Sequence, residues 1–188
     1  MLKAFARALP VQVCVRGLFR ILLVAAIVAA LDQFTKELAV SSLSAGERIT
    51  VLPGFFDITL TFNKGVAFGL FSNISDDFLR IIVLSFTTLI ALGAVGYFYV
   101  FEFAGTLSGE LALAMILGGA VGNIIDRVQL GHVIDFFLAY YQDYSWPVFN
   151  VADSAISLGV VILLFFHSKK DVQTVPGKSS DASSAHPD

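Results

Sequence analysis

Charge is scarce in this chain. Asp, Glu, Lys and Arg make up 14% of its 188 residues, where a soluble domain carries about a quarter. Cysteine occurs once, as Cys14 in a basic N-terminal stretch, so no internal disulfide can form. Histidine occurs three times, at His132, His167 and His186, and that scatter excludes the ligand spacing of a structural zinc site. The net charge of −3 gives no reason to expect a nucleic-acid partner. No Gly-x-Ser-x-Gly elbow is present. Ser154 and Ser157 lack a well-placed histidine to activate them, with His167 far along the same segment and His132 a weak candidate. No motif calls for a metal or another cofactor.

Apolar sequence is what the chain has in abundance. Hydrophobic residues account for 56% and the mean hydropathy is +0.80, which points to a membrane protein. Four apolar stretches stand out: Leu18 to Leu31, continuing as helix to Val40; Phe78 to Phe101; Leu107 to Ile125; and Val151 to Phe166. A spanning helix needs about 20 apolar residues. The second fits directly, and the others fit if polar residues are admitted at their ends. The first stretch also has the basic, apolar and small-residue order of a signal peptide. The membranous character of the rest of the chain argues against that reading.

Basic residues set the orientation. Lys3, Arg7, Arg16 and Arg20 lie at the N-terminal end, and Lys169, Lys170 and Lys178 follow the last stretch, seven of the 12 Lys and Arg. Both tails are therefore expected in the cytoplasm, which requires an even number of spans. The expected architecture is a membrane all-α protein with four transmembrane helices and a small periplasmic antiparallel β-sheet in the first outer loop. Residues 1–17 form a cytoplasmic extension, 18–168 the four-span domain, and 169–188 a disordered cytoplasmic tail. The outer loops cover about 41–77 and 127–149. In the first of them Asp57 to Phe62 alternates polar and apolar, Arg48 to Leu52 is a plausible partner strand, and Pro53-Gly54 is a turn.

This topology sends the polar residues to one face. Asp32 and Lys36 close the first span, and Asn63 follows in the loop. Asn123, Asp126 and Arg127 close the third span, Asp135 lies in the next loop, and Asn150 and Asp153 open the fourth span. Ionisable groups at membrane depth are costly and by default indicate function. Plainer readings stand beside that one. Asp32 and Lys36 have i, i+4 spacing and can form an ordinary ion pair that finishes a helix at the headgroups. Asn150 can be an N-cap and Asp153 a first-turn acid. Gly118 and Gly122 permit close helix approach. Asp135, inside the apolar run Val133 to Phe137, is the residue that a loop gains nothing from burying. Two carboxyl groups sharing one proton can activate water. Asp153 near a helix N-terminus favours the carboxylate. Asp135 among apolar neighbours favours the neutral acid. The rival classes are an ion or proton transporter, which tends to place its charges near the bilayer midplane, and an assembly partner using the Gly118 and Gly122 face.

Five motifs carry a resemblance: Asp32-Gln-Phe-Thr-Lys36; Phe62-Asn-Lys-Gly-Val-Ala-Phe68; Gly118-Gly-Ala-Val-Gly-Asn-Ile-Ile-Asp-Arg127; Val133-Ile-Asp-Phe136; and Phe149-Asn-Val-Ala-Asp153. In this order, from about Ala30 to Phe166, they resemble the lipoprotein signal peptidases, or signal peptidase II. The resemblance implies an inner-membrane aspartic endopeptidase that cleaves diacylglyceryl-modified prolipoproteins just before the lipid-bearing cysteine. It implies a catalytic pair at Asp135 and Asp153. Asn63, Asn123, Arg127 and Asn150 would shape the site or hold substrate backbone. Asp126 would be a supporting acid that orients Arg127 or its neighbours, and Asp32 and Lys36 would support the site. It further implies substrates and membrane lipids as partners and inhibition by globomycin-type cyclic peptides. A monomer is expected.

Overall fold

The structure is a computed structural model that describes residues 15–64 and 106–170, together with helical positions 82, 86, 88–90, 92–93 and 95–97 between them. Three helices and four strands follow in chain order. They are α1 (Val15–Ser42), β1 (Arg48–Leu52), β2 (Phe56–Asn63), α2 (Leu107–Leu130), β3 (Val133–Tyr141), β4 (Tyr144–Ser145) and α3 (Val151–Lys170). The apolar stretch Phe78 to Phe101 lies largely outside the described residues, as do both tails and the part of the second motif from Gly65 onward.

Among the described residues two helices are long and apolar enough to cross a membrane, Arg16–Ser42 with 27 residues and Leu107–Leu130 with 24; the apolar part of α3, Val151–Phe165, is shorter. Leu18, Phe19, Leu22, Leu23, Ile27, Leu31, Phe34 and Leu38 of α1 are exposed, as are Leu158, Leu164 and Phe165 of α3. Soluble proteins rarely leave so large a contiguous apolar surface open to water.

The helices meet through small residues instead. Ala112, Ala114, Ala120, Ala152 and Ala155 are buried at the contacts. A Cβ on Gly118 would lie 2.6 Å from the Ala25 carbonyl oxygen, and one on Gly119 would collide with that of Ala152. One on Gly159 would lie 2.7 Å from the Ala112 carbonyl oxygen. This is packing by close backbone approach, as expected where lipid supplies no hydrophobic drive between helices. The pairings fix direction. Arg20 meets Glu110, Ala25 meets Gly118, and Lys36 meets Asp126, so α1 and α2 run parallel. Gly119 meets Ala152 while Ala112 meets Gly159, so α3 runs antiparallel to α2. The chain therefore leaves β2 at one end of the bundle and enters α2 at the other, roughly 36 Å away for a helix of that length.

The helix ends are chemically marked. Thr106 caps α2, its hydroxyl accepting from Gly109 N–H at 3.2 Å. Gly131 ends α2 in the left-handed region (φ 76°), its N–H donating to Arg127 O at 3.1 Å. The third span thus runs past Ile125, and Arg127 belongs to its last turn. Between β1 and β2, Pro53 and Gly54 (φ 85°) make a turn closed by Phe55 N–H to Leu52 O at 3.0 Å.

The sheet differs from expectation in extent. All four described strands join one antiparallel ladder in the order β1-β2-β3-β4, so it draws on both segments expected to be outer loops. Val133 to Tyr141 is a strand, and the description all-α needs that amendment. An apolar run flanked on both sides by partners is what a central strand looks like. A bulge between Ile58 and Thr61 leaves Thr61 opposite Asp135 and Asn63 opposite Val133. Ala39 and Leu43 at the end of α1 pack beneath the sheet on Leu60, Ile134 and Phe136.

Gly119→Leu tests the helix packing. The added side chain must push α3 from α2, so a loss of about 1–3 kcal/mol is expected, measured as thermal unfolding of the detergent-solubilised protein. An unchanged midpoint contradicts the packing described.

Candidate active site

The site assembles where the C-terminal ends of α1 and α2 meet the N-terminus of α3 and the underside of β3. Its polar side chains are withdrawn from solvent: Asp32 and Asn150 are 0% exposed, Lys36 1%, Asp126 and Asp135 2%. Groups buried to that degree need partners for every donor and acceptor, and the partners found define two connected layers.

The inner layer is ionic. Lys36 Nζ lies 2.7 Å from Asp32 Oδ2 and 2.8 Å from Asp126 Oδ2. Its third proton goes to Asn123 Oδ1 at 3.0 Å. Asp32 and Lys36 are therefore no headgroup pair at the end of a helix; they bridge α1 to α2 in the interior. Asp126 does not pair with Arg127. It accepts from Lys36, from Gln33 Nε2 at 2.8 Å and from Ile134 N–H at 3.1 Å, which ties it to the start of β3. Asp32 Oδ1 accepts from Ala152 N–H at 2.8 Å, a carboxylate on the open N-terminal amides of α3. Gly122 is required here, because a Cβ at that position would collide with the Asp32 carboxyl.

The outer layer holds Asp135 and Asp153. Asn150 caps α3: its Oδ1 accepts from Asp153 N–H at 2.9 Å, and Asp153 Oδ2 accepts from Asn150 N–H at 3.3 Å. This reciprocal capping box fixes the Asp153 carboxyl by local geometry. Asp153 Oδ1 accepts from Asn123 Nδ2 at 2.8 Å. Lys36 can only donate, so the Asn123 oxygen must face it and the amide nitrogen is turned toward Asp153. Asp135 Oδ1 accepts from Asn150 Nδ2 at 2.7 Å and Oδ2 from Asn63 Nδ2 at 2.9 Å. Each oxygen of both acids thus receives one N–H, and Asn150 touches both carboxyls. Burial pushes the Asp135 carboxyl up to about 7; the Asn63 hydrogen bond opposes this, and the neighbouring Asp153 charge adds to it.

Arg127 borders the pair. Its Nη1 donates to the Asn123 carbonyl oxygen at 3.3 Å, while its buried Nε has no hydrogen-bond partner among the described residues. All nine residues singled out from the sequence thus fall in one connected region. One participant, Gln33, gave no signal of its own, and neither did one ion pair outside the site. Gln33, half-buried, ties Asp126 to the Gly122 carbonyl oxygen at 3.2 Å. Arg20 and Glu110 form a 2.7 Å ion pair at the far end of the bundle. Gln33 lies inside the first motif, so proximity was its only clue. Among the described residues no three His, Cys, Asp or Glu side chains are grouped to hold a metal ion.

Lys36→Met would leave Asp32 and Asp126 buried around an uncharged side chain. Breaking such a set costs about 3–5 kcal/mol, read as a lower unfolding midpoint in detergent. A variant as stable as the parent contradicts the ionic layer.

Comparison with known proteins bears on what this arrangement is. The family model described as Signal peptidase (SPase) II matches residues 24–169. The lipoprotein signal peptidase of Syntrophotalea carbinolica is 44% identical over 147 residues, covering 78% of this chain and 89% of that protein. That of Neisseria gonorrhoeae is 41% identical over 142 residues, covering 76% and 84%. A bacterial membrane enzyme solved at 2.3 Å by the in meso method superposes with a TM-score of 0.69 at 31% identity, covering 84% of this chain and 92% of that one. A second, solved at 1.9 Å, gives 0.64 at 30% identity, covering 82% and 94%. With the motifs in order, the polar site intact and the match running through all three described helices, the chain belongs to the signal peptidase II family, the lipoprotein signal peptidases.

Proposed function

We propose that the chain is an intramembrane aspartic endopeptidase that removes the signal peptide from diacylglyceryl-modified prolipoproteins, cutting before the lipid-bearing cysteine. The observation that carries this reading is the Asn150 bridge, which touches Asp135 and Asp153 at once. In the free enzyme Asp135 holds the proton and Asp153 is the carboxylate. Asp153 takes a proton from the attacking water as its oxygen bonds to the peptide carbonyl carbon. Asp135 gives its proton to the carbonyl oxygen. Collapse of the tetrahedral intermediate breaks the C–N bond as Asp153 gives its proton to the leaving amine, and a hydroxyl of the intermediate returns a proton to Asp135 as the carboxyl product forms. No covalent intermediate forms. Arg127, with an N–H to spare, and Asn123 hold substrate backbone, and Asn63 tunes Asp135.

The same geometry supports a membrane setting. The parallel run of α1 and α2 supports four spans with both termini cytoplasmic. The acids then lie at the periplasmic face of the inner membrane, where acyl chains stay in lipid while the scissile bond meets water. The enzyme acts as a monomer without a cofactor, and globomycin-type peptides occupy the same cleft.

Asp135→Asn and Asp153→Asn are each expected to lower cleavage of a diacylglyceryl prolipoprotein at least about 100-fold, with the variant protein still inserted in the membrane. Retained activity in Asp135→Asn overturns the assignment. The pH dependence carries a sign. With its folded value near 7, Asp135 is protonated below that pH and loses its proton above it, so kcat/KM falls on the alkaline side. Asn63→Ala removes a hydrogen bond that lowers the Asp135 value, so the alkaline limb should move to higher pH. A limb that stays put or moves lower contradicts the role given to Asp135.

A further inference from the structure

The sheet carries a feature that the two carboxyls do not use. A cavity of about 490 Å³ borders it, lined by Arg48, Thr59, Thr61, Leu138, Ser145 and Trp146 among others. That volume lies in the range of bound-ligand sites. The wall combines a guanidinium, three hydroxyls and two apolar surfaces. Hydroxyls of this kind suit the alternating donors and acceptors of an extended polypeptide.

Register connects the cavity to the catalytic pair. Thr61, in the wall, stands directly opposite Asp135, and Arg48 stands opposite Thr59 two residues away. Arg48 is exposed and has no ion-pair partner among the described residues. Two interstrand steps and two residues along the strand put Arg48 roughly 12 Å from Asp135. An extended chain covers that in three or four residues, at about 3.4 Å each.

We propose that this cavity receives the polypeptide on the carboxyl side of the cleaved bond, with Arg48 facing an acidic side chain at the third or fourth residue of the mature product. The inference rests on the reading of Asp135 and Asp153 as the catalytic pair. The amino side of the cut is an apolar signal segment that belongs in lipid. The carboxyl side is a polar chain on its way to water, and the polar wall matches that side. The cavity is thus a specificity subsite for protein sequence, beside a centre that works on the bond itself.

The full-length enzyme in detergent is assayed on lipid-modified precursors that differ only at the third and fourth mature residues, carrying Asp, Ser or Lys. The expected order of kcat/KM is Asp over Ser over Lys, spanning about fivefold and narrowing at high salt. In Arg48→Glu the order reverses. In Ser145→Trp, which fills the cavity, KM rises for precursors with a long mature segment and is unchanged for those truncated after the second residue. Equal rates on all three precursors, or the same order in Arg48→Glu, overturn the proposal while leaving the catalytic pair intact. An Arg48 effect that follows the anionic lipid content of the micelle and ignores substrate sequence also overturns it, in favour of a lipid headgroup. No cleavage of any precursor by the parent enzyme removes the catalytic reading, and this one with it.

Discussion

The side-chain amide of Asn150 donates to Asp135 at 2.7 Å while its backbone N–H donates to Asp153 at 3.3 Å, so one residue sets the separation of two acids from different elements. Asp153 arrives on a helix and Asp135 on a strand. The two elements also meet in the backbone, where Phe149, just before α3, pairs with Phe137 of β3, and Asn150 is the next residue. Asn150 can do this because it is also the N-cap of α3. Its oxygen is committed to Asp153 N–H at 2.9 Å, which leaves only the amide nitrogen to reach β3. A helix cap, ordinarily worth about 1 kcal/mol, here also aligns the two carboxyl groups.

The ionic layer beneath is the foundation of that alignment. Lys36 holds Asp32 and Asp126 together and turns the Asn123 amide so that its nitrogen faces Asp153. Asp32 in turn receives Ala152 N–H from the first turn of α3, and Asp126 receives Ile134 N–H from the start of β3. The two elements that deliver Asp135 and Asp153 are thus each tethered to the same buried lysine cluster. Such a cluster is expensive to bury and is possible only because Gly118, Gly119 and Gly122 let the backbones approach closely enough to exclude lipid and water.

Much of this was legible in the chain itself. The apolar lengths marked the three described helices, and Pro53-Gly54 between Arg48 to Leu52 and the alternating Asp57 to Phe62 marked the β1–β2 hairpin. The order of polar residues at span ends anticipated a single cluster. What escaped had physical reasons. Val133 to Tyr141 has the continuous apolar character of a central strand, a pattern without the period of two that identifies a half-buried one, so its pairing with β2 was not apparent. Asp126 was expected to orient Arg127 or its neighbours; it makes no direct pair with Arg127, because adjacent residues on a helix point apart, and the ion pair it does make could not be read from the chain. Lys36, 90 positions earlier by sequence difference, is the true partner. The Arg20–Glu110 pair, likewise 90 residues apart, could be found only from the parallel packing of α1 and α2.

The protonation state of the pair is the point on which the chemistry turns, and infrared difference spectroscopy on the detergent-solubilised enzyme reads it directly. At mildly acidic pH the spectrum should contain a protonated-carboxyl C=O band that titrates near pH 7, disappears in Asp135→Asn and survives in Asp153→Asn. A band that survives in Asp135→Asn and vanishes in Asp153→Asn would put the proton on the other acid and contradict the account.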